Sequence, residues 1–191
     1  MTPSRIILAS RSPARKKLLE KLGIPFECHA SHYVEDMNAY KTPKRLAVFL
    51  ALQKARSCYY SFPSSRIIGA DTFITVGKEK IGKPSSHSEA KRILANMSGK
   101  TIKVHSGVAV ITTDEKGAIM AERADYAVTF LKIKKMSERE IERLAHQKDA
   151  LNISGAFSIE GEGGKMVESI SGDYDNVIGL PVAKLKKLLL L

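Results

Sequence analysis

Three features of this chain predict an α/β fold. Short runs rich in Val, Ile and Thr alternate with segments whose apolar residues recur at helical spacing. Turn residues mark most of the changes between them, as at Gly23 with Pro25, at Val76-Gly77-Lys78-Glu79 and at Asp114-Glu115-Lys116-Gly117. No repeat, low-complexity tract or interdomain linker interrupts residues 1–191, so the chain reads as a single domain, long enough to bury a substantial interior.

The elements follow in order. Ile6-Ile7-Leu8-Ala9 is a short apolar run and reads as a buried strand over about residues 5–9. Ser12 then Pro13 gives an N-cap and a first helical position, for a helix over about 13–22 that stops at Gly23. Residues 26–30 read as a second strand and 31–42 as a polar connection. Thr42-Pro43 starts a helix predicted to reach about residue 60. Residues 66–76 form a clear strand, which the Gly77-Lys78 turn converts into a hairpin. A helix over 86–97 ends at Ser98-Gly99. Two long strands over about 101–113 and 118–132 make the next hairpin, rich in Val, Ile, Thr and Tyr. Ser137 and Glu140 have capping-box spacing and open a charged helix over about 138–147. The glycine-punctuated stretch 155–172 is expected to carry one or two strands, and Leu180-Pro181 opens the last helix.

Composition narrows the function. A hydrophobic content of 43% with 27% charged residues is that of a soluble globular protein. No apolar run approaches the roughly 20 residues of a membrane span, and no signal-peptide core follows Arg5, so a cytoplasmic protein without membrane contact is expected. Cys28 and Cys58 lack metal or redox spacing and read as free thiols. The formal net charge of +11 suits either a polyanion or a small phosphorylated substrate. The absence of Trp, the few aromatics and the missing nucleic-acid motifs argue against a nucleic-acid partner.

A few residues break the structural pattern. Asp71 interrupts Ile67-Ile68-Gly69-Ala70-Asp71-Thr72-Phe73-Ile74, where an unpaired carboxylate would cost several kcal/mol, so it must be paired, metal-bound or at an open strand end. Lys54 falls inside the apolar arc made by positions 46, 47, 50 and 51 rather than opposite it; a lysine snorkelling past the core edge is the plain alternative. Arg15, Lys16 and Lys17 crowd the first turn of a helix, where the dipole disfavours cations, which suggests either an anion site or a solvated basic face. Lys83 is held between Gly82 and Pro84, and Glu35-Asp36 forms a second acidic cluster in the polar connection. Oxygen ligands from two chain regions plus substrate phosphates are how Mg²⁺ is usually held, although two solvated loop acids would look the same in sequence. His29, His32, His87, His105 and His146 show no ligand spacing and read as non-catalytic.

Six ordered motifs then resemble one family. Leu8-Ala9-Ser10-x-Ser12-Pro13-x-Arg15, Leu50-Ala51-x-x-Lys54-Ala55, Gly69-Ala70-Asp71-Thr72, Gly82-Lys83-Pro84, Ser98-Gly99-Lys100-Thr101 and Gly172-Asp173-Tyr174-x-Asn176-Val177-x-Gly179-Leu180-Pro181 are similar to the Maf nucleoside triphosphate pyrophosphatases, once called septum-formation proteins. The resemblance covers essentially the whole chain. It implies an elongated, twisted mixed β-sheet flanked by helices, with two lobes and a central cleft, as in the inosine triphosphate pyrophosphatases. It also implies hydrolysis of a nucleoside triphosphate to the monophosphate and pyrophosphate, a divalent metal cation (Mg²⁺ or Mn²⁺) and a homodimer. Carried over by position, Asp71 is the general base and, with Glu35, holds the metal, while Lys54 and Lys83 are catalytic cations. Ser10, Ser12, Arg15, Thr72, Glu160 and Asn176 contact the substrate.

The chain departs from the family pattern at several points. Ala14 stands where the family has the first of two arginines, and Ile102 stands in place of a His. Asn152-Ile153 replace Asp-Lys, and Glu160 replaces Gln. A glutamine amide both donates and accepts, which suits uracil or thymine. A carboxylate only accepts, which suits the donor edge of guanine and the cationic ring of 7-methylguanine. Base preference is therefore expected to be mixed or purine-leaning, against a dTTP/UTP preference suggested by Gly69-Ala70-Asp71-Thr72. The same departures leave open a catalytically weakened nucleotide-binding regulator linked to cell division. A basic nucleic-acid-binding module is a third reading, disfavoured by the carboxylates among its supposed contact residues.

Overall fold

The computed structural model describes residues 5–190. Its centre is a seven-stranded mixed sheet made of β1 (Arg5–Ala9), β2 (Glu27–His29), β3 (Ser65–Val76), β4 (Glu79–Ile81), β5 (Thr101–Thr113), β6 (Ile119–Ile133) and β7 (Val167–Ser171). The strand order is β2-β1-β3-β5-β6-β7, with β4 paired to β3. β1 runs parallel to both β2 and β3, whereas β3–β4 and β6–β7 are antiparallel. The helices are α1 (Pro13–Glu20), α2 (Pro43–Arg56), α3 (His87–Met97), α4 (Glu138–Ala145), α5 (Tyr174–Ile178) and α6 (Val182–Leu189).

Most of these elements lie where local chemistry puts them. Ser12 caps α1 by accepting from the Arg15 backbone N–H, Ser86 caps α3 through Glu89, and Ser137 with Glu140 forms the full capping box of α4. Gly77 and Gly117 take positive φ in the two hairpin turns, where a side chain would be strained. Asp114 adds to the second turn by accepting the N–H groups of Lys116 and Ala118, both at 2.8 Å.

Several boundaries differ from the sequence expectation. α2 stops at Arg56, and residues Tyr59–Ser61 form a separate 3₁₀ turn, because the Ser57 and Cys58 N–H groups close back on Gln53 and Ala55. The stretch 155–172 yields one strand, β7. The residues around it form 3₁₀ turns at Ala150–Asn152, Ser154–Ala156 and Glu162–Met166. The short helix α5 has no counterpart in the sequence reading.

Two compact units can be described separately. The first comprises the described residues of 1–71, 106–127 and 179–191, and the second comprises 72–105 and 128–178. In the first, Ile7, Ala9, Ala55, Cys58, Ile67 and Ile111 form a core cluster. Here β3 and β5 approach α2 closely. A Cβ at Gly69 would strike the Ala51 carbonyl and the Ala55 nitrogen, and one at Gly107 would strike the Ala47 carbonyl. In the second, α3 and α4 cover a larger cluster that includes Ile74, Leu94, Met97, Ile102, Leu131 and Phe157. Both cysteines are free, Cys28 exposed and Cys58 buried. Among the described residues, no helix is long and apolar enough to cross a membrane.

Candidate active site

In the first unit the chain leaves β1 at Ala9 and turns sharply, the Ser10 N–H reaching the Leu8 carbonyl at 2.8 Å. The buried Ser10 hydroxyl oxygen accepts from the Ser12 N–H at 3.1 Å and from Arg15 Nη1 at 3.4 Å. Arg15 Nε donates to the Gly179 carbonyl at 2.9 Å, so the guanidinium is aimed by two neutral oxygens. Burial lowers the Arg15 pKa from its ordinary value, and the negative charges of Asp71 and Glu35 act in the opposite direction. Of the three basic residues that open α1, Arg15 alone turns toward Ser10. Lys16 and Lys17 are exposed, and Lys16 pairs with Glu20 along the helix surface.

Lys54 belongs to the buried face of α2, with Leu46, Ala47, Leu50, Ala51 and Ala55. It is only 8% exposed, and Asp71 on β3 is 2% exposed. The lysine ammonium forms an ion pair with Asp71 Oδ1, and Glu35 Oε1 takes the same nitrogen at 2.7 Å. A buried cation between two carboxylates satisfies the requirement that interior charge be paired. The close approach of β3 to α2 at Gly69 brings the strand carrying Asp71 against the helix carrying Lys54. Glu35 is delivered by the 31–42 connection. Ser57 Oγ donates to Ser31 Oγ at 3.0 Å, and the rings of Tyr33 and Tyr40 meet Phe49 edge-on at 6.3 and 5.1 Å.

Asp71 Oδ2 is buried and has no hydrogen-bond partner. An orphaned carboxylate oxygen beside a second carboxylate is the donor set expected for a hard divalent cation that takes its remaining oxygens from water and phosphate. Among the described residues there is no group of three or more His, Cys, Asp and Glu side chains arranged to hold a metal ion. Asp71 and Glu35 are the two carboxylates that could contribute oxygens to such a site.

The other candidates lie in the second unit. The Thr72 carbonyl accepts from the Ser154 hydroxyl at 2.9 Å. Lys83 is exposed on the turn after β4, and the adjacent Gly82 carbonyl accepts the Gly155 N–H at 3.1 Å, fastening that turn to the 3₁₀ segment beside it. Glu160 is exposed, its backbone N–H on Ser158 Oγ at 3.3 Å. Asn176 is fully buried, and Nδ2 donates to the Val104 carbonyl at 3.1 Å and to Thr129 Oγ1 at 3.0 Å. Thr129 also accepts the Asp173 N–H at 3.1 Å, so it ties down the whole 172–176 loop.

Ser10, Ser12, Arg15, Glu35, Lys54 and Asp71 thus belong to one unit, and Thr72, Lys83, Glu160 and Asn176 to the other. Three participants escaped the sequence reading: the Gly179 carbonyl that orients Arg15, the Thr129 hydroxyl, and the Tyr33 ring that pins the acidic loop. Gly179 lies within a motif already singled out. Thr129 and Tyr33 carry no sequence signal beyond proximity to such motifs.

The model of the Maf-like protein family matches residues 5–190. A dTTP/UTP pyrophosphatase of Bacillus cereus (strain AH820) is 41% identical over 181 residues, 95% of this chain and 92% of that protein. Its namesake from B. cereus (strain G9842) is 42% identical over the same shares, and that of Bacillus anthracis 41%. Among solved structures, a HAM1 protein from Coxiella burnetii aligns over 69% of this chain and 74% of its own, with 17% identity and a TM-score of 0.41, too loose a match to bear on the site. With a family match along nearly every described residue and relatives above two-fifths identity over almost their full length, this chain belongs to the Maf family.

Proposed function

We propose that this chain is a nucleoside triphosphate pyrophosphatase, hydrolysing its substrate to the nucleoside monophosphate and pyrophosphate. The observation that carries this reading is the cluster of Arg15, Lys54, Glu35 and Asp71, two cations and two carboxylates on one framework. Relatives named for dTTP and UTP hydrolysis support the reaction class.

Phosphoryl transfer asks a protein mainly for positioning and charge neutralisation. The Arg15 fork, held through Nε by the Gly179 carbonyl and through Nη1 by Ser10, supplies a fixed positive charge for phosphate oxygens beside the Ser10 and Ser12 hydroxyls. Lys54 stabilises charge on the departing pyrophosphate; the family resemblance adds Lys83, on its fastened turn in the second unit, as a further catalytic cation. Asp71 takes the proton of the attacking water. Glu35 and Asp71 would hold a divalent cation, Mg²⁺ or Mn²⁺, which would supply neutralisation of phosphate charge and a more acidic attacking water. Thr72 and Asn176 are substrate contacts on the family resemblance. The family resemblance also supports a homodimer.

The named relatives favour dTTP or UTP as substrate. Glu160 favours a second reading: an exposed carboxylate that can only accept hydrogen bonds matches guanine or 7-methylguanine better than a pyrimidine. One experiment addresses reaction and base together. The purified chain is given dTTP, UTP, GTP and 7-methyl-GTP with Mg²⁺ or Mn²⁺, and pyrophosphate is measured. Pyrophosphate release is expected, with kcat reduced by about 10²–10⁴-fold in Asp71→Asn. Orthophosphate as the product would overturn the pyrophosphatase reading, and nucleotide binding without turnover, the behaviour of a regulator, would overturn the enzymatic one.

A further inference from the structure

Glu35 owes its place in the cluster to bonds made by its neighbours. The backbone from Val34 to Asp36 is exposed and belongs to no helix or strand, and Val34 itself is 86% exposed. Burial of the chain therefore does not hold the carboxylate where it meets Lys54. The adjacent acid is spent locally: Asp36 Oδ1 accepts the Asn38 N–H at 2.8 Å and closes its own turn. What fastens the connection to α2 lies on either side of Glu35. The rings of Tyr33 and Tyr40 meet Phe49 edge-on, and a run of hydrogen bonds reaches the end of the helix. In that run the Tyr33 backbone N–H donates to Ser31 Oγ at 3.3 Å, Ser31 Oγ lies 3.0 Å from Ser57 Oγ, and Ser57 Oγ lies 2.7 Å from the Lys54 carbonyl.

The two residues that meet side chain to side chain, Glu35 Oε1 on Lys54 Nζ at 2.7 Å, are thus also joined near their backbones through two serine hydroxyls. Ser57 is the one joint between them that belongs to the rigid helix end, where its N–H also closes on the Gln53 carbonyl. Without its hydroxyl, Ser31 loses its hold on α2 and the backbone before Glu35 gains conformational freedom. That freedom must then be surrendered whenever the carboxylate takes up a ligand, so the loss falls on binding. Both serines are only half-buried, so removing either hydroxyl leaves its partner to water rather than orphaned in the core.

We propose that Ser57 is a positioning residue: through Ser31 it holds Glu35 where that carboxylate and Asp71 can take a divalent cation together. The inference rests on the proposed metal role of the two carboxylates, and it is tested by metal binding apart from turnover. Mn²⁺ is titrated into the nucleotide-free protein and followed by electron paramagnetic resonance. Ser57→Ala is expected to bind Mn²⁺ about tenfold more weakly, the lower end for residues that orient metal ligands. The Mn²⁺ concentration for half-maximal turnover should rise in step, with kcat at saturating Mn²⁺ within about twofold of wild type. Ser31→Ala, which breaks the run from the loop side, should match it, and Ser57→Thr, which keeps the hydroxyl, should restore wild-type affinity. Mn²⁺ affinity within about twofold of wild type in both alanine variants overturns the role, and so does a loss that threonine fails to restore. A wild-type protein that binds Mn²⁺ in a Ser57-dependent way yet hydrolyses no triphosphate refutes the enzymatic reading and upholds the positioning role. A wild-type protein that binds no Mn²⁺ refutes the positioning role, while pyrophosphate release still decides the enzymatic reading by itself.

Discussion

His105 shows how a single side chain can set a pH limit on the fold. It is 4% exposed in β5, its ring stacks on Phe73 at 5.3 Å, and Nε2 lies 2.9 Å from the Thr75 hydroxyl. Burial, with a smaller contribution from Lys103, pushes its pKa down to about 4 from 6.5. Between those two values the unfolded chain holds the proton more readily than the folded one, so stability rises with pH and is lost on acidification through that window. The effect is worth up to about 3 kcal/mol for a shift of this size. Urea unfolding near pH 7 and about pH 4.5 checks it: the acid loss should be smaller in His105→Gln than in the wild type. Asp71 and Lys54 were legible in sequence for a related reason, since a charge among apolar neighbours breaks a periodic pattern. Tyr33 was not legible, because a tyrosine in a polar connection breaks none. His105 carried no spacing signal, and its peculiarity comes wholly from what packs on it.

At the scale of elements, the contact of β3 and β5 with α2 decides whether the cluster exists. Gly69 and Gly107 leave room for the helix backbone itself, so an added methyl meets peptide atoms that cannot rotate away. Gly69→Ala is expected to destabilise by about 3 kcal/mol or more, at the upper end for overpacking. It should also impair triphosphate turnover, because the strand holding Asp71 and the helix holding Lys54 must move apart. Thermal unfolding together with kcat/KM reads both effects; an unchanged Tm would show that the contact is looser than described. Caps and hairpin turns were readable because each is settled within four or five residues, as at Ser12–Arg15 and Ser137–Glu140. The early end of α2 and the 3₁₀ turns after residue 150 were not. There the local pattern is ambiguous, and more distant bonds such as Gly155 to Gly82 settle it.

For the molecule as a whole, the excess of 11 positive charges favours approach of a polyanionic substrate. Much of that charge lies on exposed side chains, such as Lys16 and Lys17, and is screened by salt, whereas the buried pairing of Lys54 is not. Raising ionic strength from about 0.05 to about 0.5 M should therefore raise KM for the triphosphate severalfold and leave kcat nearly unchanged. A parallel fall in kcat would place the screened charges at the reacting phosphate. Sequence pattern carried the α/β class and the strand–helix alternation. It could not carry the strand order, in which β3 pairs with β1 across the whole of α1, β2 and α2.

The contrast between the two thiols has a practical side. With Cys58 enclosed and Cys28 open on β2, next to Lys16 and Phe26 in a shallow hollow, a maleimide dye has one place to attach. The native sequence therefore carries a single-site optical reporter without engineering, mounted on the strand next to the one that leads into Ser10 and Arg15.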